Sequence, residues 1–170
     1  MPGWGMGGGD GRIGEAEGGR LAARWWQWAL SAPEDRSPVS DTTGRYADWR
    51  QPQDVWFLAG TYGGRVVRRC PIPSGVPVFF PVLNTQAVAV PFAGGPPRLE
   101  VKRAEAYLNG SPLELSEFSS KRFAVLGVPR RAWGLWCGLG PLPAGQFVLE
   151  IRAAAADGFW VDTTYHLTVE

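Results

Sequence analysis

The sequence has a single histidine, His166, and only two cysteines, Cys70 and Cys137. That scarcity excludes a multi-histidine metal centre, an all-thiolate site and a cysteine-rich scaffold. Long apolar runs are missing as well. Proline and glycine interrupt each one before it reaches the roughly 20 residues of a membrane helix, so no membrane span is expected. Charge of one sign is also in short supply. The 17 basic and 16 acidic side chains leave a net charge of +1. The clusters Arg65, Arg68, Arg69 and Arg130, Arg131 are short and lie among apolar stretches, which argues against nucleic acid as a partner. No basic start followed by an apolar segment opens the chain. The expectation is a cytoplasmic protein, or an exported or cell-surface one whose signal was removed upstream.

Several motifs of enzyme chemistry are absent too. There is no G-x-S-x-G elbow for a nucleophilic serine and no G-K-[ST] phosphate loop. The G-x-G-x-x-G matches at Gly3, Gly5, Gly8 and at Gly9, Gly11, Gly14 follow no strand and reflect glycine abundance alone.

What is present is apolar and aromatic. Of 170 residues 45% are apolar and 19% charged, enough for one sizeable core and too little charge for a disordered chain. Residues 1–19 are glycine-rich without periodicity and read as a flexible arm, leaving 20–170 as one domain. The segment RLAARWWQWALS puts Leu21, Trp25 and Trp28 on one helical face, widened by Trp26 and Leu30, and stops before Pro33. After a turn-rich loop, VWFLAG (55–60) reads as a strand covered on both faces. Pro77 and Pro81 restrict the segment 76–84 to a sheet edge or a bulged strand. Asn109–Gly110 is a hairpin turn signal. Phe147, Leu149 and Ile151 alternate, as do Val161, Thr163, Tyr165, Leu167 and Val169, predicting two paired strands. Trp133, Leu135 and Cys137 share one face of a further strand, while Gly134 and Gly138 leave bare backbone beside Trp136 on the other, inviting close packing. The sum is a mostly β fold: an antiparallel sandwich of jelly-roll or immunoglobulin type, or a barrel, with one short N-terminal helix.

The nine tryptophans are the strongest functional lead. A domain of this size buries most large rings, and the remainder can form a stacking face or pocket wall. Trp25, Trp28, Trp133, Trp136, Trp160 and Asn84 are the candidate ligand-binding residues, for a carbohydrate or a small apolar molecule. The alternative is a small cofactor-free enzyme, a hydrolase or cyclase-like barrel, with an aromatic-lined pocket assisted by Asp41 or by Tyr165 and His166. Asp162 and His166 lie four positions apart on one strand, about 13 Å at 3.3 Å per residue, and form no dyad directly. Asp41–Gly44 (DTTG) reads either as a self-bonded turn or as a ligand loop. Calcium is conceivable at Asp35, Asp41 and Asp48, although their spacing is not that of a calcium loop. No other cofactor and no metal are expected. Cys70 and Cys137 are open to either reading, a disulfide or two buried thiols.

Taken together, WWQWALSAP, DTTG, VWFLAG, PIPSGVPVFFPVLN and TYHLTV resemble a family of uncharacterised bacterial proteins, over most of the chain after residue 24. The resemblance implies one compact domain and export, and it transfers no catalytic residue.

Overall fold

The computed structural model describes residues 12–91 and 94–170. It is mostly β, with 46% strand against 13% helix. A single long helix, α1 (Glu15–Ser31), lies near the N-terminus, followed by a short 3-10 turn, Glu34–Arg36. Ten strands follow: β1 (Trp56–Phe57), β2 (Gly64–Ile72), β3 (Val78–Val88), β4 (Val101–Leu108), β5 (Ser111–Pro112), β6 (Ser116–Ser119), β7 (Phe123–Val125), β8 (Val128–Leu139), β9 (Gly145–Ala155) and β10 (Trp160–Val169). They form two five-stranded sheets that curl into a half-barrel. One runs β1-β3-β8-β6, with β7 also paired to β8; the other runs β2-β10-β9-β4-β5. Only β1/β3 and β2/β10 are parallel.

The alternating strands pair as their patterns require. Thr163, Tyr165 and Leu167 stand opposite Ile151, Leu149 and Phe147, so both apolar faces turn to the same side. That side packs against Val78, Phe80, Val82, Leu83 and Cys137 of the other sheet, closing an aliphatic core. The first sheet has a second apolar face, and α1 covers it with Leu21, Trp25, Trp26 and Trp28. The layers are therefore helix, sheet, sheet. Among the described residues no helix is long and apolar enough to cross a membrane.

Two expectations need correction. First, α1 begins at Glu15, five residues before the expected boundary at 20, so 15–19 belongs to the folded layer; the part of the arm at 1–11 lies outside the described residues. Gly18 and Gly19 obscure the helix because glycine disfavours one. Here they let it approach the sheet: a Cβ on Gly18 would lie 2.3 Å from the Phe118 ring, and one on Gly19 would lie 2.6 Å from the Ser119 carbonyl oxygen.

Second, VWFLAG is not a full strand. Only Trp56 and Phe57 pair, at the margin of the first sheet, although Val55, Leu58 and Ala59 are buried. Side chains bond the Leu58 carbonyl and both backbone groups of Ala59, as described below. The expectation for 76–84 holds in its second form: β3 is an interior strand, and it is bulged between Pro81 and Leu83. Phe79 gives its carbonyl to Leu58 N on the β1 side. Pro81, two residues on, faces the same side, where β1 has ended, so its missing donor is not needed.

Candidate functional site

The first sheet must bury both faces, and the tryptophans supply the volume. Trp25, Trp28, Trp133 and Trp136 are 2%, 6%, 2% and 0% exposed. The expected tryptophan stacking face therefore does not form, because α1 lays its indoles on sheet rings instead. Trp25 meets Trp26, Trp28 and Trp136 edge-on at 4.9, 6.1 and 5.6 Å between centroids, and Phe79 stacks on Trp136 at 5.0 Å. Trp25 Nε1 donates to Leu58 O at 2.9 Å and Trp28 Nε1 to Trp49 O at 2.6 Å. Trp133 lies elsewhere, donating to Glu117 Oε1 at 2.7 Å beneath the Arg98 guanidinium. Trp160, 49% exposed at the start of β10, is the one member of the set facing water.

Two of the six expected ligand residues do meet. Trp25 and Asn84 line a cleft of about 230 Å³ beside α1, together with Trp26, Leu30, Val39, Gly60, Thr61, Tyr62, Thr85, Gln86 and Phe159. Two side-chain donors in its wall, Trp26 Nε1 and Asn84 Nδ2, are buried without a hydrogen-bond partner. Such groups each cost about 1–3 kcal/mol in a folded protein. Asn84 is pressed into place from below: a Cβ on Gly134 would lie 2.7 Å from the Asn84 Cβ and from Trp136 Nε1. The expected close packing at bare β8 backbone is thus the floor beneath Asn84. Partial burial and the neighbouring Glu34 carboxylate raise the pKa of the Tyr62 phenol, keeping it neutral at ordinary pH.

Trp26, Tyr62 and Phe159 were not singled out by pattern. Tyr62 precedes Gly63–Gly64 and Phe159 follows Gly158. A large ring inside a glycine turn, where no strand can bury it, is the signal that would have found both.

Arg68 holds the cleft's frame. The strand alternation turns it inward from the apparent basic cluster, to 1% exposure, while Arg65 and Arg69 face out. Its Nε donates to Asp41 O (2.7 Å), Nη2 to Val39 O (2.9 Å), and Nη1 to Ala59 O (3.2 Å), Gly60 O (2.9 Å) and Tyr165 Oη (2.9 Å). Tyr165 Oη in turn donates to Ala59 O and accepts from Ala59 N. One guanidinium and one phenol thus satisfy the backbone of Ala59 and the carbonyl of Gly60 at the end of VWFLAG. They also tie Val39 and Gly60, both in the cleft wall, to the second sheet.

The catalytic candidates do not assemble. Tyr165 faces the core and His166 the opposite side of β10, so they cannot act as a pair. His166 lies in an open groove of about 500 Å³ with Arg69, Gln146 and Thr168, where no buried polar atom is left unpaired. Asp162 is bound to Arg65 at 3.1 Å. Asp41 closes its own turn, accepting from Thr43 N, Thr43 Oγ1, Gly44 N and Tyr46 N at 3.0, 2.8, 2.8 and 3.3 Å. Burial would raise its pKa, but these hydrogen bonds together outweigh it and hold the carboxyl below its ordinary value. DTTG is thus a self-bonded turn. Cys70 and Cys137 are free and buried, and burial pushes both thiols up to about 12, which makes them unreactive at neutral pH. Among the described residues no three His, Cys, Asp or Glu side chains gather as a metal site, Asp35, Asp41 and Asp48 included.

Fold and cleft together define a mostly β domain in which a helix and a sheet frame an aromatic, donor-bearing recess. Compared with models of known protein families and with curated proteins, the sequence matches neither.

Proposed function

We propose that the chain is a ligand-binding β domain and that its cleft takes one unit of a carbohydrate or a similarly sized hydroxylated molecule. The observation that carries this reading is the pair of unpartnered donors, Trp26 Nε1 and Asn84 Nδ2, in an aromatic wall. Sugars offer acceptor oxygens for such donors and C–H faces for rings such as Tyr62 and Phe159. Binding is favoured over acid–base catalysis because the cleft lining holds no carboxylate, imidazole, thiol or amine.

The size of the cleft sets the affinity to look for. A monosaccharide of about 12 non-hydrogen atoms, at roughly 0.3 kcal/mol per atom, binds with a Kd on the order of millimolar. Intrinsic tryptophan fluorescence, titrated with mono- and oligosaccharides into that range, reads this directly, because Trp25 and Trp26 are in the wall. A saturable change that Asn84→Ala and Tyr62→Ala each weaken about tenfold is expected. A flat titration across neutral, acidic and amino sugars ends the proposal.

A further inference from the structure

The turn joining β7 to β8 places Leu126 and Gly127 at φ of 49° and 81°, and the turn joining β4 to β5 places Asn109 and Gly110 at 49° and 80°. The geometry is shared but the chemistry is not. Asn109 is a residue that left-handed backbone favours, and its Oδ1 accepts from Val148 N at 2.8 Å. Left-handed backbone disfavours leucine, and Leu126 recovers nothing by packing, being 84% exposed. A local rule broken without structural gain points to a role outside the fold.

The surroundings say what that role is. Val128 follows the turn at 37% exposure, and Val88 and Val90, at the end of β3 and just beyond, are 53% and 60% exposed. Ala89 N donates to Pro129 O at 2.9 Å, and Val88 is the register partner of Arg130, so the two segments run side by side. Half of the eight large apolar side chains most exposed among the described residues therefore share one end of the first sheet. Residues 85–99 and 118–131 also carry Arg98, Lys121, Arg122, Arg130 and Arg131, and no Asp or Glu. Among the described residues only Arg98 of these is ion-paired, with Glu117.

We propose that this end of the molecule is a membrane-docking tip, with Leu126 and the valines entering the interfacial layer of a bilayer while Lys121, Arg122 and Arg131 meet anionic lipid headgroups. An apolar point flanked by cations on both strands matches such a surface in polarity and in charge. Two copies meeting tip to tip would instead oppose like charges. A nucleic acid would leave Leu126 unused and find no stacking ring there.

Vesicle flotation of the full chain tests this. Phosphatidylcholine vesicles containing phosphatidylglycerol should carry the protein, about tenfold more than pure phosphatidylcholine vesicles do, and about 1 M salt should release it. Leu126→Asn installs the residue the turn prefers, so the hairpin is kept while vesicle binding falls about tenfold; thermal unfolding of the variant confirms that it folds. Lys121→Glu with Arg122→Glu should cost about tenfold as well. The proposal is overturned if the unaltered chain ignores anionic vesicles or if Leu126→Asn binds them undiminished. Self-association that Leu126→Asn abolishes, without vesicle binding, would assign the surface to a second copy and overturn it equally.

Discussion

The two apolar layers are built from different side chains. Between the sheets, 2 of 18 clustered buried residues are aromatic, Phe80 and Tyr165. Between helix and sheet the figure is 8 of 16. Two facing sheets pack about 10 Å apart and interlock short branched side chains. A helix on a twisted sheet leaves an uneven gap, which rings fill edge to face. The difference divides the molecule's tasks. The aromatic cluster holds no buried Cys or Tyr and opens into the cleft, while the aliphatic one holds Cys70, Cys137 and Tyr165 and adjoins the buried Arg68.

The largest test of that division is truncation on each side. Trp25→Ala should lower stability by about 4 kcal/mol, because it empties a ring-sized space and leaves Leu58 O unpaired; Leu149→Ala should cost about 3 kcal/mol. Urea unfolding of both variants checks the order, and the reverse order would mean that the aromatic layer is loosely packed. Arg68→Met should cost about 3 kcal/mol, since it strips donors from four carbonyls, those of Val39 and Ala59 buried. It should also weaken sugar binding measured by fluorescence, since Val39 and Gly60 lose their tie.

Alkaline pH should strike the aliphatic layer hardest. The thiols of Cys70 and Cys137 have folded pKa values near 12, above the ordinary 9.0. Their contribution is intact below about pH 9 and declines as pH rises toward 12, by about 1.4 kcal/mol per thiol per pH unit. Burial raises Tyr165 as well, adding to the loss above its ordinary 10.0. Unfolding at pH 7 and pH 10.5 should therefore differ less in a Cys70→Ala, Cys137→Ala double variant, each compared with itself. The smallest effect is at the frame: Asp41→Ala should cost about 1 kcal/mol by opening the turn. The lowered Asp41 pKa contributes stability that is present above 3.8 and lost as pH falls through the folded value, so the variant should flatten the acid limb of the stability profile.

Much of this arrangement was legible from residues close in sequence. The β9–β10 pairing, the Asn109–Gly110 hairpin and the apolar face of α1 follow from periods of 2 and 3.6 and from turn chemistry. The helix start at Glu15 was not, because two glycines chosen for close approach to Phe118 and Ser119 look locally like a linker. Of the cleft, Asn84 and Trp25 were named, for an ambiguous loop-end position and for aromatic excess. Trp26 was noted only as widening a helix face, and Tyr62 and Phe159 carried no periodic signal at all.

By itself the sequence determined the β-rich class, the position of the single long helix and the side of each strand that faces inward, since alternation and turn residues act over a few positions. Which tryptophans meet water, which arginine of three is buried, and that residues 26, 62, 84 and 159 share one recess were decided only by the tertiary structure. Those outcomes depend on contacts between segments as far apart as Arg68 and Tyr165, and no local rule encodes which distant surface will cover a given ring.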